Sequence, residues 1–292
     1  MKVVDLNVFS QKLEELRKYG ELPVFVQTHR SDGNMNTNPA FFSCKTRDEA
    51  KELFMNNRIK LAEKLEKCGY IIDPLQFYMA DQDMTKDASF NRRGTSFIIT
   101  KDYIDKNPFG WGTMPQDMAS IKEVDDDTRG VVIGSATADC PTIFGIDPEK
   151  NSIVSCHCDA TRIDSLMPME VFDRLQEMGN WTTKDDHLLA CIAPCAGIAY
   201  SHDKYPDFVK NEAVWKDAIS RDPVTSPYLY HVDMRKAIYN QLLARKIKPE
   251  NIIFDLDDTI TDHNYYSHHA AKQLKYKKGR HFAGMFYPKK NK

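Results

Sequence analysis

Residues 130–162 read GVVIGSATADCPTIFGIDPEKNSIVSCHCDATR, and the reading of the fold turns on them. Three apolar runs, residues 130–136, 141–146 and 153–157, have the length and β-branched content of buried strands and are too short for helices. A polar turn at residues 147–151 separates the second run from the third. Cys140 directly follows the first run and His157 ends the third. Neighbouring strands joined by a turn bring such a thiol and imidazole to the same end of a sheet.

Outward from this segment, strands and helices interleave. Residues 24–28, 75–79, 96–100, 188–193 and 251–254 read as strands, and residues 281–287 form the last ordered piece. Residues 47–68 carry Leu53, Phe54, Ile59, Leu61 and Leu65 among charges and stop at Gly69, the pattern of a capped helix. Residues 169–178 and 233–246 read as further helices. Residues 1–20 place Phe9, Leu13 and Leu16 at helical spacing, so an N-terminal helix is expected. Residues 101–127, with Pro108, Gly110 and Gly112 close together, read as an irregular insert. With no repeat or linker, residues 1–292 are expected to form one α/β (α+β) domain.

The composition excludes several classes. The chain has 292 residues, 41 % apolar and 28 % charged, with a formal charge of −2. Such balance is ordinary for a globular protein and argues against a dedicated nucleic-acid surface. No stretch approaches the roughly 20 apolar residues of a membrane span, and charges interrupt the N-terminus too often for a signal peptide. The cysteines number seven, an odd count. Free thiols in a reducing cytoplasm are therefore the expectation.

Two strings carry candidate chemistry. Residues 252–259, IIFDLDDT, resemble the DxDxT nucleophile motif of haloacid-dehalogenase-type phosphatases, with Asp255 and Asp257 in the acidic roles. Only 37 residues follow Asp255, too few for the remaining βα units of such an enzyme. An acidic turn capped by Asp258 or Thr259 fits better. The second string is the Cys140/His157 pair. It can hold zinc through sulfur and nitrogen with a position left open, or His157 can activate Cys140 as a nucleophile.

TADCPTI (residues 137–143), a strand ending in CHCD, and Ile192-Ala193-Pro194-Cys195-Ala196-Gly197 with Tyr200 together resemble the YfiH-type family. That family is also called laccase-domain or multicopper-polyphenol-oxidase-like. Asn57-Arg58 with Leu61 resembles its NRxxL helix. Asp233, Ala237, Gln241 and Leu242 resemble its DLxxANxxQL helix, and Tyr266-Ser267 with Gly279-Arg280 its closing segment. The similarity runs collinearly from about residue 24 to residue 285.

The resemblance implies a single-domain sandwich of mixed β-sheets flanked by helices, similar also to bacterial glutamine deamidases of the cytotoxic-necrotizing-factor type. It further implies purine nucleoside phosphorolysis or adenosine deamination at a zinc ion. Cys140 and His157 match two of the family's ligands. The third, a His, is replaced within residues 79–84 (MADQDM), where Gln82 holds its place and Asp83 or Asp81 offers a carboxylate. Asp139 joins Cys140 and His157 as a catalytic candidate. Arg30, Arg162 and Arg280 are candidates for phosphate, and Tyr200 for substrate. The partners so implied are a purine nucleoside and phosphate.

Departures accumulate. The Trp after the ligand His is absent, Arg162 stands one place late, Ser201-His202 follows Tyr200, and His268-His269 replaces an arginine pair. A metal-free cysteine hydrolase or deamidase on the same Cys–His pair, and a non-catalytic binding relative, are the alternatives. Nothing in the sequence resembles the His-rich motifs of a multicopper site.

Overall fold

In the computed structural model, residues 1–6, 21–35, 46–81, 96–108, 113–115, 118–179, 187–222 and 226–290 are described. The decisive segment folds as three strands, β7 (Val132–Thr137), β8 (Thr142–Asp147) and β9 (Ser152–His157). Every residue of β8 and β9 is buried, which explains continuous apolar runs in place of alternation.

Strands β8 and β9 pair antiparallel, whereas β7 belongs to a different sheet. The first six-stranded sheet runs β1 (Lys2–Asp5), β2 (Val24–Gln27), β15 (His281–Phe286), β7, β3 (Phe77–Asp81) and β5 (Thr113–Pro115). The second runs β14 (Ile252–Phe254), β10 (Leu189–Ile192), β8, β9, β6 (Met118–Ile121) and β4 (Ser96–Ile99). A small third sheet holds β11 (Ser201–His202), β13 (Ser226–Val232) and β12 (Ile219–Asp222) in that order.

The two large sheets pack face to face. Phe25, Ile133 and Met285 of the first share a buried cluster with Phe144, Ile146 and Ile153 of the second. The outer face of the first sheet, through Phe77, Val132 and Phe282, packs on Phe54, Leu61 and Leu65 of α1 (Arg47–Lys67). On the outer face of the second, Ile143 and Val154 meet Val171, Phe172 and Leu175 of α4 (Met167–Gly179), and Ile238 of α5 (Met234–Ala244) joins the same cluster. This is the sandwich of mixed sheets flanked by helices that the sequence leads one to expect.

Glycines allow two close approaches. A Cβ on Gly145 would lie 2.8 Å from both Val171 and Leu175, so α4 seats on β8 only because that position is bare. A Cβ on Gly134 would lie 2.0 Å from the Ala283 carbonyl oxygen of the paired strand β15. On α1, Thr46 and Glu49 form a reciprocal capping box. Arg58 of α1 donates to the Phe77 carbonyl at 2.7 Å and stacks on Phe54 and Phe77, 4.3 and 4.9 Å from their ring centres.

Two expectations are corrected. The chain opens with a strand: Lys2–Asp5 is β1, paired antiparallel with β2, because β-branched Val3 and Val4 extend a sheet edge. The rest of the expected N-terminal helix lies outside the described residues. The segment 101–127 is also not an irregular insert. It holds α2 (Lys101–Lys106), capped by the Thr100 side chain, then β5 and β6, and β6 sits between β4 and β9. Its strands are too short for periodicity to reveal. Among the described residues, no helix is long and apolar enough to cross a membrane.

Candidate functional site

The site is organised by the turn between β7 and β8. Thr142 is the register partner of His157, and the Cys158 N–H donates to the Pro141 carbonyl at 2.9 Å. Cys140 and His157 are thereby brought to one end of the sandwich. Cys140 keeps part of its surface open, while His157 is buried at 8 % exposure.

Asp139 bends the chain there. Its φ of 95° is a left-handed conformation unusual outside glycine, a strain of about 1–3 kcal/mol. Three hydrogen bonds hold it. The Thr259 hydroxyl donates to Oδ1 at 2.9 Å, the His269 N–H donates to Oδ2 at 2.9 Å, and the Ala196 N–H donates to its carbonyl at 2.8 Å. Asp139 therefore acts first as the clamp that presents Cys140.

Around the thiol, charges of both signs converge. Burial pushes Cys140 up to about 12, Asp159 and Asp139 push the same way, and Arg280 and Arg162 oppose them. Burial likewise pushes the Tyr200 phenol up to about 12, reinforced by Cys140, Asp139 and Asp159. Cys140, Asp139, Tyr200, Arg162 and Arg280 thus share one electrostatic neighbourhood. Asp159 joins them from α3 (Ala160–Asp164), which it N-caps. Its carboxylate accepts from the Arg162 N–H at 2.8 Å, the Thr161 hydroxyl at 2.6 Å and Arg162 Nη1 at 3.4 Å. An Asp followed by Thr and Arg at the end of a strand was the signal that would have found it.

Arg30 has a different setting. Its guanidinium covers Tyr276 and Tyr266, 4.4 and 5.6 Å from their ring centres, and Nη1 donates to the His263 carbonyl at 3.5 Å. His268 and His269 stand at the start of a helix, α6 (His268–Leu274), N-capped by Ser267, which lets the His269 N–H reach Asp139. Cys156 and Cys158 pack in the core with their sulfurs 3.5 Å apart.

The donor types of Cys140 and His157 suit zinc. Parallel pairing of β3 with β7, with Met79 opposite Gly134, carries Asp81 toward the same sheet end. The Asp81 side chain, Gln82 and Asp83 lie outside the described residues. Among the described residues, no group of three His, Cys, Asp or Glu comes together to hold a metal ion.

The phosphatase-like string is structural. Lys2 Nζ lies 2.5 Å from Asp255 and 3.3 Å from Asp257, and the Tyr265 hydroxyl donates to Asp257 at 2.7 Å.

Residues 116–287 match the family described as "Multi-copper polyphenol oxidoreductase laccase". Two solved structures are similar in fold. One is the hypothetical protein YfiH of Bacillus licheniformis, with a TM-score of 0.64 and 15 % identity over 91 % of this chain and 92 % of that one. The other is YlmD from Geobacillus stearothermophilus, with a TM-score of 0.64 and 18 % identity over 91 % of each chain. No curated protein matches the chain.

Proposed function

The chain belongs to the multi-copper polyphenol oxidoreductase laccase family, of YfiH type, and from that premise we propose that it acts on purine nucleosides at the Cys140 end of the sandwich. One observation carries the proposal. At the turn from β7 to β8, two carboxylates and two guanidiniums pull the thiol in opposite directions, and the Tyr200 phenol feels the thiol and both carboxylates. A nucleoside and an oxyanion need such a mixture, with cations for phosphate and a ring for the base.

In phosphorolysis, a phosphate oxygen bonds to C1′ as the C1′–N bond breaks, and the electron pair leaves with the base. Arg162 and Arg280 neutralise the phosphate, whereas the Arg30 guanidinium is held on Tyr276 and Tyr266. Asp159 fixes Arg162 through its Oδ2–Nη1 contact. Tyr200 lines the substrate side. Adenosine deamination would use the same walls without phosphate. Cys140 and His157 would hold zinc together with Asp83, and the metal, when bound, would supply Lewis acidity.

A metal-free cysteine hydrolase is less well supported. A thiol raised to about 12 is almost wholly protonated at neutral pH, and the nucleophile is the thiolate.

The test is phosphate-dependent release of free base from inosine and adenosine, with elemental analysis of the purified protein. Near-stoichiometric zinc and base release, both lost in Cys140→Ala, support the reading. Absence of both zinc and turnover in the folded wild type points to the non-catalytic relative.

A further inference from the structure

Tyr200 is one member of a row of rings. His202 meets it edge-on with ring centres 4.7 Å apart, and His269 meets it edge-on at 5.9 Å. Phe208 backs His202 at 5.7 Å. His269 Nε2 contacts the Gln273 side-chain amide at 3.1 Å. His202 Nε2 differs: it is shut away from solvent and has no hydrogen-bond partner among the described residues.

A buried polar atom left unmatched costs about 1–3 kcal/mol, so a fold retains one where something else completes it. Burial, and next to it His269, hold His202 below the usual histidine range, against the pull of Asp203 and Asp207. The ring is therefore neutral at pH 7, with one donor and one acceptor nitrogen. Aromatic walls and a single neutral polar atom do not suit phosphate, whose cationic partners lie on the Arg162/Arg280 side. They suit a planar heterocycle that lies beside the ring row and is oriented by one in-plane hydrogen bond.

We propose that His202, held between Tyr200 and Phe208, is the residue that reads the base of the bound nucleoside, through a hydrogen bond at Nε2. The proposal rests on the nucleoside reading above and adds a specificity determinant to it. Its position also makes sense of a departure noted in the sequence, where Ser201-His202 follows Tyr200. His202 is a positioning residue for the base and takes no part in bond making at C1′.

The experiment is calorimetric titration of the full chain with inosine, adenosine and guanosine, alongside steady-state kinetics. His202→Phe keeps a flat ring against Tyr200 and removes the nitrogen. It is expected to weaken binding of at least one of these nucleosides about tenfold, the scale of one hydrogen bond. KM should rise with kcat changed less than about twofold, because a bond made equally in ground and transition states affects binding alone. His202→Gln, which restores a donor and an acceptor, should recover most of the loss.

The free His202→Phe protein should melt no lower than wild type, since the unmatched nitrogen is gone. Equal affinity of His202→Phe and wild type for all three nucleosides overturns the assignment while leaving the nucleoside reading intact. A wild type that binds none of the three overturns both. Weakening by Phe and Gln alike, with lowered melting in each, overturns it in favour of a packing role.

Discussion

Two acidic turns stand at strand ends in this molecule, and they touch. One is Asp139-Cys140 after β7; the other is Asp255 to Thr259 after β14. Thr259 donates to Asp139, and Cys195 forms a parallel bridge with Asp258. In the second turn the protein consumes its own charge. Lys2 pairs with Asp255 and Asp257, and Asp258 Oδ1 accepts the Ile260 N–H at 2.9 Å. Although burial pushes Asp257 upward, the Tyr265 hydrogen bond and the Lys2 charge hold it below the ordinary carboxylate range. In the first turn, carboxylates and guanidiniums pull a neutral thiol in opposite directions. The more familiar motif is thus internally satisfied, and the less familiar one sets charges of both signs around a partly open thiol.

The largest effect should separate the two turns. Cys140→Ala is expected to lower phosphate-dependent base release about a hundredfold or more, the scale of losing one group at a reacting centre. The Asp255→Asn/Asp257→Asn double variant should stay within about twofold, as changes away from the reacting groups do. Parallel initial-rate assays decide between them. Comparable losses in both would erase the contrast.

Stability should divide the turns next. Asp139→Ala removes two hydrogen bonds to a charged carboxylate and leaves the left-handed φ in place. Urea unfolding should show a loss of about 3 kcal/mol. Thr259→Val removes one of those bonds and should cost about 1–2 kcal/mol. The double variant should lose less than the sum, because the pair shares a bond. Additive losses would mean that the two turns do not brace each other.

The sequence made β7, β8 and β9 legible because their residues are apolar on both faces and bounded by turn formers. It hid β1, β5 and β6, each four residues or fewer, which a helical or loop reading absorbs at no local penalty. Asp139, Cys140 and Arg162 were read as candidates from the TADC string and the strand ending in CHCD. Asp159, within CHCD, and His202 and His269, among the departures, were visible in the sequence without a role. His269 matters through a hydrogen bond to a residue 130 positions away, and no local pattern reports such a bond. Thr259 drew attention as part of a phosphatase motif, and its partner Asp139 lies 120 positions away.

Acid should reveal the core beneath the first turn. Burial, then Arg280, presses His281 down to about 3, and its Nε2 lies 3.1 Å from the Thr137 hydroxyl at the end of β7. The unfolded chain takes up that proton near pH 6.5 while the folded chain refuses it until about pH 3. Stability from His281 is therefore intact above pH 6.5 and falls by up to about 1.4 kcal/mol per unit as pH drops toward 3. Burial also lowers His29, His202 and His268, so they add to the slope with the same sign. The slope of the urea midpoint against pH between pH 7 and about pH 5.5, where carboxylates stay mostly ionised, should flatten in His281→Gln relative to wild type. An unchanged slope would remove His281 as its source.

The smallest effect tests the charges themselves. In the metal-free protein at pH 8 a thiol near 12 is ionised in about one molecule in ten thousand, so iodoacetamide should label Cys140 slowly, with exposed Cys68 as the fast internal standard. Arg280→Ala removes a cation that favours the thiolate and should slow Cys140 several-fold further. Asp159→Asn removes an anion that opposes it and should speed labelling by a similar factor. Asp257→Asn should change nothing, since that carboxylate is engaged by Lys2 and Tyr265. Opposite signs for the arginine and the aspartate, read by mass spectrometry of the Cys140 peptide, are what a shared electrostatic neighbourhood requires. Rates that move together, or that follow the second turn, would show accessibility and not charge to govern the thiol.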